Sequence, residues 1–365
     1  MKAISTHYIG LMSGTSLDGV DAVIIQTAPA FKMIGAAAQD FPAALRQQLV
    51  DLCSPGENEI ERMGIADIAL GHFYAECVNS LLAKYKIPAS SISAIGCHGQ
   101  TIRHCPGKGG FSLQIGSADI LSSKTSITVV NNFRNKDMAL GGQGAPLVPA
   151  FHAAVFGQKS GTRVIINIGG MANISVLNGS KISSGYDTGP GNILLDSWNM
   201  QHQSTPYDKS GDWGAKGLIN DALLAALLKD EYFSRLPPKS TGREYFNTNW
   251  LNQHLRGDEE PVDVQATLIE LTAKSIASDA LKHHPNEVFV CGGGFRNSFL
   301  MARLRAHLGN IECLGTDALG IHPDWVEACA FAWLAYARIN QKPGNAPSVT
   351  GANAEAILGA VYLAN

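Results

Sequence analysis

Short apolar runs alternate with glycine-rich or polar stretches and with longer segments whose apolar residues recur at helical spacing. This alternation is typical of an α/β protein in which strands and helices follow each other along the chain. The predicted strands lie in 7–12, 20–27, 92–101, 113–116 and 126–133, on both sides of the turn in 163–177, and at the start of 287–304. The predicted helices lie in 41–52, 63–84, 215–229, 262–283, the end of 287–304, 325–339 and 353–363, with one more that begins near Asn192.

The turn between the first two predicted strands reads SGTSLDG and carries more hydrogen-bonding groups than a tight hairpin needs. Gly14 and Gly19 allow a positive φ and a close approach of another group to the backbone. An Asn-Gly or Asp-Gly pair would be enough for a plain hairpin. We therefore interpret the turn as a candidate cradle for phosphate oxygens.

Two more glycine-rich turns follow predicted strands, at Gly169–Asn173 and Gly292–Asn297. Backbone N–H groups in such turns can also converge on phosphate oxygens. A glycine turn can equally serve the fold alone, so both roles remain open for each turn. None of the turns matches GxxxxGK[ST], and none is a GxGxxG followed by an acidic residue about 20 positions later. This pattern disfavours a Walker-type loop and a dinucleotide-binding fold.

The stretch GYDTGPGN places one carboxylate, Asp187, before a loop that proline and glycine hold in a defined shape. A carboxylate in such a place can act as a general base that takes a proton from a hydroxyl group or from water. It can also form an Asx-turn or cap the helix that begins near Asn192. Both roles remain open from the residues alone.

The stretch CHGQT places His98, Gln100 and Thr101 at the end of a predicted strand, where ligands of open α/β sheets bind. Mixed donors and acceptors of this kind suit sugar hydroxyl groups, and a structural histidine is the alternative. Arg134 in NNFRNKD can clamp a carboxylate or a phosphate, or belong to a solvated charge cluster. Glu327, near the start of an apolar helix, is either a functional acid or a surface residue.

Composition restricts the partners and the compartment of this protein. A formal net charge of −3 does not suggest a nucleic-acid-binding surface. No apolar run approaches the ~18 residues of a membrane span, and the start MKAISTHYIG lacks the long apolar segment of a signal peptide. The seven cysteines have irregular spacings without a CxxC pair, which is typical of reduced core thiols. We therefore expect a cytoplasmic protein, and its 365 residues favour two domains.

Taken together and in order, the motifs GLMSGTSLDGVD, INIGGMANIS, GYDTGPGN and VCGGGFRN resemble those of one family. The stretches CHGQT, LGGQGAPLVPAFH, KSTGREYFN, DVQATL and APSVTGA also match, so the resemblance runs from residue 8 to about residue 362. The family is that of the anhydro-N-acetylmuramic acid kinases, within the sugar kinase/actin/Hsp70 ATPase superfamily.

The resemblance implies a two-domain, actin-like α/β fold in which each domain is built on a ribonuclease H-like sheet, with the active site in the cleft between the domains. We expect domain I in residues 1–130 plus about 350–365, and domain II in residues 131–349. The resemblance also implies ATP- and Mg²⁺-dependent chemistry in peptidoglycan recycling. Water opens the internal bridge of 1,6-anhydro-N-acetylmuramic acid while its 6-oxygen receives the γ-phosphoryl group. A homodimer is common among such kinases, and we expect one here.

The resemblance further implies roles for single residues. Asp187 matches the family's general base for the attacking water, and Glu327 matches an acid near the sugar. The residues implied for ATP are Gly14, Thr15, Ser16, Leu17, Asp18, Gly19, Val20, Asp21, Gly169, Gly170, Asn173, Gly292, Gly293, Gly294 and Asn297. The residues expected at the sugar are His98, Gln100, Thr101, Arg134, Gly191 and Asn192. Many superfamily members order Mg²⁺ through an Asp in the first strand, whereas IGLMSG has no acid here, so Asp18 and Asp187 are the candidates.

Three other functions remain open. Another sugar kinase of the same superfamily would transfer phosphate to an existing hydroxyl group and consume no water. An actin-like ATPase switch would share the phosphate loops but would need no sugar site, and GYDTGPGN and CHGQT argue against it. A sugar-binding regulator without catalysis would have no need of Asp187.

Overall fold

The computed structural model describes residues 6–14, 16–107 and 109–364, and it divides the chain into two compact units. Unit 1 comprises the described residues up to Phe151 and from Trp325 onwards, and unit 2 comprises His152–Asp324. This division differs from the expected domains at both boundaries. Residues 131–151 and 325–349, expected in domain II, belong to unit 1.

The strands and helices follow one another along the whole chain. In chain order the strands are β1 His7–Met12, β2 Gly19–Gln26, β3 Lys32–Asp40, β4 Ile92–Cys97, β5 Gln100–Cys105, β6 Phe111–Ile115, β7 Val129–Asn131, β8 Thr162–Ile168, β9 Met171–Asn178, β10 Lys181–Pro190, β11 Glu287–Cys291, β12 Glu312–Gly315 and β13 Ala360–Tyr362. The helices are α1 Ala43–Leu52, α2 Glu59–Tyr85, α3 Ala118–Thr125, α4 Arg134–Ala139, α5 Val148–Phe156, α6 Ile193–Gln203, α7 Asp221–Leu227, α8 Glu231–Ser234, α9 Thr248–Asn252, α10 Pro261–Leu281, α11 Ser298–Leu308, α12 Val326–Ile339 and α13 Pro347–Thr350.

The sheet of unit 1 has the strand order β13-β7-β4-β1-β2-β3. Strands β1, β2 and β3 form an antiparallel meander, whereas β4 is parallel to β1 and β7 is parallel to β4. The first two strands are in register from His7 opposite Gln26 to Met12 opposite Asp21. One apolar face of the sheet packs on α1, α2 and α3 in a core that includes Ile9, Leu49 and Val78.

The sheet of unit 2 repeats this arrangement with the order β10-β9-β8-β11-β12. Strands β8, β9 and β10 form the antiparallel meander, and β11 and β12 continue the sheet in parallel. Its core packs the strands against α6, α10 and α11. Both units therefore have the ribonuclease H-like strand arrangement that the resemblance implied, which confirms the two-domain α/β fold.

Helix α12 lies directly on the sheet of unit 1, and two glycines make this close approach possible. A Cβ atom on Gly10 of β1 would lie 1.9 Å from the Ala328 carbonyl oxygen. A Cβ atom on Gly96 of β4 would lie 2.0 Å from the Phe331 carbonyl oxygen. Because backbone cannot move away like a flexible side chain, any larger residue at either position would force helix and sheet apart.

Replacing Gly10 with Ala is therefore expected to lower the free energy of unfolding by about 2 kcal/mol or more, since overpacking a well-packed core usually costs about 1–3 kcal/mol. Denaturant unfolding followed by far-UV circular dichroism measures this change. Gly64 is a matched control because it is exposed in α2 and no described atom would lie within 4 Å of its added Cβ. Gly64→Ala should gain about 0.5–1 kcal/mol from helix propensity. Equal stability of Gly10→Ala and the wild type would contradict the packing argument.

Several stretches differ from the sequence-based expectations, and three of them bear on the sheets. The expected final helix over 353–363 is wrong, because β13 ends this segment and pairs antiparallel with β7. Gly359 with φ +92° interrupts any helix there, and its added Cβ would lie 2.6 Å from Val130. The stretch before Asn192 is strand β10 rather than a loop, and β3 was not predicted. Both strands gain their structure from pairing with a neighbouring strand, which local pattern does not show.

All seven cysteines are free, and five of them are buried, as expected of core thiols. Cys53 is partly buried and Cys105 is exposed. Within the described ranges, no helix has both the length and the apolar character required to span a membrane.

Candidate active site

The first glycine turn is fastened to the end of β4. Strands β1 and β4 are parallel, so their carboxyl ends lie at the same edge of the sheet. The Ser13 hydroxyl group donates to the Gly99 carbonyl oxygen at 3.1 Å, and Gln100 Nε2 donates to the Gly14 carbonyl oxygen at 3.1 Å. His98 Nδ1 lies 3.3 Å from the Ser13 carbonyl oxygen. The structure thus gives the buried His98 and Gln100 a role in bracing the turn, and their direct contact with sugar stays a prediction.

The backbone of this turn differs from the expectation. Neither Gly14 nor Gly19 has a φ in the left-handed region, and Leu17 adopts φ +59° instead. The Leu17 carbonyl oxygen accepts a hydrogen bond of 3.0 Å from Arg46 Nε, which holds this uncommon conformation. Thr15 lies outside the described residues.

The side chains expected at ATP in this turn fall into two groups. Leu17 and Val20 pack in the core of unit 1, so only backbone groups at these positions can face a ligand. Gly19 is required by the fold, since its added Cβ would lie 2.4 Å from the Gln39 carbonyl oxygen. Ser16 and Asp18 are exposed. The turn therefore offers backbone groups and two polar side chains to solvent, and Asp21 is part of β2.

The partly buried Arg134 and the buried His98 form a pair behind the turn. Arg134 Nη2 lies 2.7 Å from His98 Nε2, and Arg134 Nη1 donates to the Gly144 carbonyl oxygen at 2.7 Å. Burial lowers the pKa of His98 well below its usual range, and the charge of Arg134 lowers it further. Burial also lowers the pKa of Arg134 to about 10, although the negative charges of Glu327 and Asp137 act to raise it. At neutral pH Arg134 is therefore charged and His98 is neutral, with Nε2 accepting from Arg134 and Nδ1–H facing Ser13.

A polar cavity of about 320 Å³ lies beside His98 in unit 1. Thr101, expected at the sugar, accepts a 3.1 Å hydrogen bond from Gln114, which lines the cavity. Amide, hydroxyl and carboxyl groups predominate in its wall, which is the chemistry that sugar hydroxyl groups require. The lining residues are Asp67, His98, Gly99, Ser112, Leu113, Gln114, Ile115, Gly116, Ser117, Ala118, Asp119, Asn131, Asn132, Asn135 and Tyr362.

The second glycine turn joins β8 to β9 and is held by the start of α6. The Gly169 carbonyl oxygen accepts from the N–H of Asn192 at 2.8 Å. The Gly170 carbonyl oxygen accepts from the N–H groups of Gly191 at 2.9 Å and Ile193 at 3.0 Å. Gly191 and Asn192 were expected at the sugar, and the structure instead engages their N–H groups in positioning this turn. Contact of these two residues with substrate stays a prediction.

The third glycine turn follows β11, which is parallel to β8, so it lies at the same sheet edge as the second turn. Gly292 has φ +83°, and its added Cβ would lie 2.4 Å from Asn167 Oδ1. An added Cβ on Gly294 would lie 2.3 Å from Ile168 Cγ2. Both residues are thus glycine for reasons of the fold. Asn297, expected at ATP, uses Oδ1 to accept from the Leu300 N–H at 2.9 Å and caps α11.

Among the glycines of these turns, Gly170 and Gly293 have the most open surroundings. No described atom would lie within 4 Å of a Cβ on Gly170, and a Cβ on Gly293 would meet only Asn192 Nδ2, at 4.0 Å. Both are exposed, and neither has a left-handed φ. A methyl group fits the protein at both positions, so the described fold does not require glycine there.

Asp187 lies on β10 opposite Asn173 of β9. Asn173 is the last residue of the second glycine turn, Gly169–Asn173. Its Oδ2 accepts a 3.0 Å hydrogen bond from the Thr241 N–H. Burial raises the pKa of Asp187 to about 6, and the negative charge of Glu244 adds to this shift, while the Thr241 N–H and the charge of Lys239 oppose it. A carboxylate with a pKa near the working pH is suited to accept and release a proton.

Thr241 and Lys239, which border Asp187, were not among the predicted site residues. The signal was present in the polar stretch KSTGREYFN, which matched the family without a role for any of its residues. Tyr232 on α8 also contacts this region, since its hydroxyl group donates to the Asp187 carbonyl oxygen at 2.8 Å.

Glu327 lies at the start of α12 in unit 1, where it attracts Arg134. Glu327 and Asp187 belong to different units. In the part of the chain that the structure describes, no group of three His, Cys, Asp or Glu side chains is arranged to hold a metal ion. Asp18 and Asp187 stay the predicted candidates for Mg²⁺.

Two ribonuclease H-like units with glycine turns at their strand ends define the class of actin-like ATPases and sugar kinases. The chain belongs to the anhydro-N-acetylmuramic acid kinase family, which matches residues 6–364. It is 49% identical to the anhydro-N-acetylmuramic acid kinase of Coxiella burnetii strain RSA 493, over 98% of this chain and 97% of that protein. It is 48% identical to the kinase of the same name from Pasteurella multocida, over 99% and 98% of the two chains.

Similar solved structures are more distant. One is the activator of 2-hydroxyisocaproyl-CoA dehydratase from Clostridium difficile, with 14% identity, a TM-score of 0.48, and coverage of 92% of this chain and 96% of that one. Another is a glucokinase from Streptomyces griseus, with 13% identity, a TM-score of 0.39, and coverage of 90% and 99%. We base the fold on the strand order of the two sheets, since both scores are below 0.5.

Proposed function

We propose that this protein is an ATP-dependent kinase that opens 1,6-anhydro-N-acetylmuramic acid with water and phosphorylates its 6-oxygen. The products are N-acetylmuramic acid 6-phosphate and ADP, in the recycling of peptidoglycan. Family membership supports the substrate, and Asp187 carries the proposal for the chemistry. The Thr241 N–H holds this carboxylate in place, and burial raises its pKa to about 6. Its strand, β10, ends next to Gly191 and Asn192, which contact the second glycine turn.

The reaction balances with one carboxylate as proton acceptor. The oxygen of water forms a bond to the anomeric carbon as the bond from that carbon to the 6-oxygen breaks. The 6-oxygen forms a bond to the γ-phosphorus as the bond to the departing ADP breaks, and Asp187 accepts the proton of the water. Glycoside hydrolysis normally uses two carboxyl groups, one of them to protonate the leaving oxygen. Here phosphorus captures the leaving oxygen, so a general base alone is sufficient.

The glycine turns would hold the phosphates of ATP through backbone N–H groups. ATP supplies the phosphoryl group, and Mg²⁺ neutralises phosphate charge in reactions of this kind. The open space beside Gly170 and Gly293 fits a phosphate group that lies against the backbone. Asp18 or Asp187 is the nearest predicted carboxylate for Mg²⁺.

The polar cavity beside His98 supports a sugar site in unit 1. Its size of about 320 Å³ lies at the lower end of small-molecule sites, which span about 300–1,000 Å³. His98 has a fixed hydrogen-bond pattern there, because Arg134 and the Ser13 carbonyl oxygen engage both ring nitrogens. We infer that this pair orders the cavity wall and the first glycine turn together.

We also infer a cytoplasmic location and a homodimer. The free thiols and the family support the first inference, and the second rests on the resemblance alone. The interdomain cleft as the place of reaction likewise remains part of the proposal.

One reaction in ¹⁸O-labelled water tests the proposed function, with ATP, Mg²⁺ and the anhydro sugar present. We expect label at the anomeric carbon and phosphate on the 6-oxygen of the same product, detected by mass spectrometry and NMR. A reaction mixture without sugar is the control and should consume little ATP. Phosphorylation of another hydroxyl group without label would indicate a different sugar kinase. Sugar-independent ATP consumption would indicate an ATPase switch, and sugar binding without any product would indicate a regulator.

A further inference from the structure

A buried ion pair lies next to Asp187 and is not used by the reaction described above. The Lys239 ammonium group is 3.0 Å from the Asp279 carboxylate, and the two side chains are only 3% and 5% exposed. The ammonium group also lies 5.0 Å from the ring centroid of Tyr232 and 5.6 Å from that of Tyr186. Burying two charges costs desolvation energy that their attraction often fails to recover, so stability alone is a weak reason for such a pair.

The backbone that carries Lys239 is the backbone that holds Asp187. The Lys239 carbonyl oxygen accepts from the Asp187 N–H at 3.2 Å. Two residues later, the Thr241 N–H donates to Asp187 Oδ2. Asp279 lies near the end of the long helix α10, so the ion pair anchors this loop to a rigid element.

We propose that the buried Lys239–Asp279 pair is a positioning device for the proton-accepting carboxylate of Asp187. The pair fixes the loop whose N–H group orients the carboxylate. This inference rests on the proposed role of Asp187 as general base.

Charged and titratable groups reach this region from several elements. The loop after α8 contributes Lys239 and Glu244, whose charges act on Asp187 in opposite directions. Helix α10 contributes Asp279, whose other carboxylate oxygen pairs with the half-exposed Lys282. The Tyr186 hydroxyl group lies 2.9 Å from His283 Nε2, and Tyr232 completes the set from α8.

Removing one partner of the pair should loosen the loop and misplace the carboxylate of Asp187. Lys239→Met leaves the Asp279 carboxylate without its partner in the loop, and Asp279→Asn leaves the buried Lys239 ammonium group without its carboxylate. Since a misplacement of about 1 Å at a reacting group can cost about 100-fold in rate, we expect kcat to fall by up to about 100-fold in each variant. KM for ATP and for the sugar should change by less than about twofold.

The double variant Lys239→Met/Asp279→Leu removes both charges and guards against misfolding of the single variants. Similar-sized apolar residues often replace a buried ion pair without loss of stability. Its stability should therefore return to that of the wild type, whereas its kcat should stay low because the directed contact that fixes the loop is missing. Lys239→Arg keeps the charge and the contact, so its kcat should stay within a few-fold of the wild type.

A second ion pair on the same helix serves as the matched control. Arg303 Nε lies 2.6 Å from Glu270 Oε2, with the Glu270 side chain 5% exposed. Glu270→Gln should destabilise the protein, measured by denaturant unfolding, while its kcat stays within about twofold of the wild type.

The outcomes separate this inference from the proposed function. A lower kcat at unchanged KM in the single variants and in the stable double variant, rescued by Lys239→Arg, supports the positioning role. A wild-type kcat in the double variant would overturn it and leave the pair a structural feature. If Asp187→Asn itself keeps full activity with labelled product, the role of Asp187 as base fails first. If Asp187→Asn is inactive and the double variant has the kcat of the wild type, this inference alone fails.

Discussion

Replacing Asp187 with Asn should lower kcat by about 10²–10⁴-fold, the range that a positioned general base contributes. Asparagine has the same shape and its Oδ1 can accept the Thr241 N–H, so the loop at 239–247 should keep its place. It does not accept a proton from water at neutral pH, and this loss is the cause of the expected effect. Steady-state kinetics with the anhydro sugar and ATP measure it, and KM for ATP should change little.

The same substitution should raise the free energy of unfolding at pH 7.5. Burial raises the pKa of Asp187 from 3.8 to about 6 in the folded protein. Since the folded state binds the proton more tightly than the unfolded chain, stability is lost as pH rises from about 4 to about 6. The full cost, about 3 kcal/mol at about 1.4 kcal/mol per pKa unit, then persists at neutral pH. Asn carries no such cost, so its advantage should disappear near pH 4.

Measuring both activity and stability of Asp187→Asn distinguishes a catalytic role of Asp187 from a structural one. An inactive variant that is more stable at pH 7.5 identifies a carboxylate kept for function at the expense of the fold. Full activity would show that the base lies elsewhere, and Glu327 would be the next residue to replace. An inactive variant that is also less stable at pH 7.5 would indicate a structural role for Asp187.

Replacing Gly293 with Ala should reduce kcat/KM for ATP by about 100-fold, a loss of near 3 kcal/mol in transition-state binding. The added methyl group would lie in open space beside the backbone, where the proposed phosphate site lies. Gly170→Ala should act in the same direction. The stability of both variants should stay within about 0.5 kcal/mol of the wild type, because no described atom of the protein would be crowded.

Gly294 is the matched control within the same turn. Its added methyl group would meet Ile168 Cγ2 at 2.3 Å, so Gly294→Ala should lower stability. Comparison of the two variants separates a glycine required by a ligand from a glycine required by the fold. Unchanged ATP kinetics in both Gly170→Ala and Gly293→Ala would exclude phosphate contact at these turns.

Much of the fold follows from the hydrophobic pattern, because the long helices have strong helical spacing. Helix α2 was expected over 63–84 and covers Glu59–Tyr85, and α12 was expected over 325–339 and covers Val326–Ile339. Strands β3 and β10 are held by pairing with distant neighbours, and their own residues give a weak signal. The compact units also differ from the expected domains, because α12 packs on the sheet of unit 1, where Gly10 and Gly96 allow its close approach.

The sequence motifs likewise identified only part of the candidate site. Motifs identified Asp187 and the glycine turns, because special residue types mark them. They did not identify Thr241, because it acts through its backbone N–H, a group that every residue except proline has. They placed His98 and Gln100 at the sugar, which stays a prediction, but did not indicate that both also hold the first glycine turn. Hydrogen-bond partners that are distant in sequence decide such roles.

Unit 1 is built from two separate parts of the chain, so it cannot be completed until the ribosome has synthesised unit 2. Strands β1 and β4 are made early, but helix α12, which covers them at Gly10 and Gly96, is made only after all of unit 2. At about 5–20 residues per second, this delay is on the order of ten seconds. During that time one apolar face of the nascent sheet lacks its cover, while unit 2 is continuous in sequence and can finish first. A premature stop codon near residue 324 would therefore release a chain with a complete unit 2 and a unit 1 that lacks α12. Chaperones would have to bind the apolar sheet face that α12 normally covers.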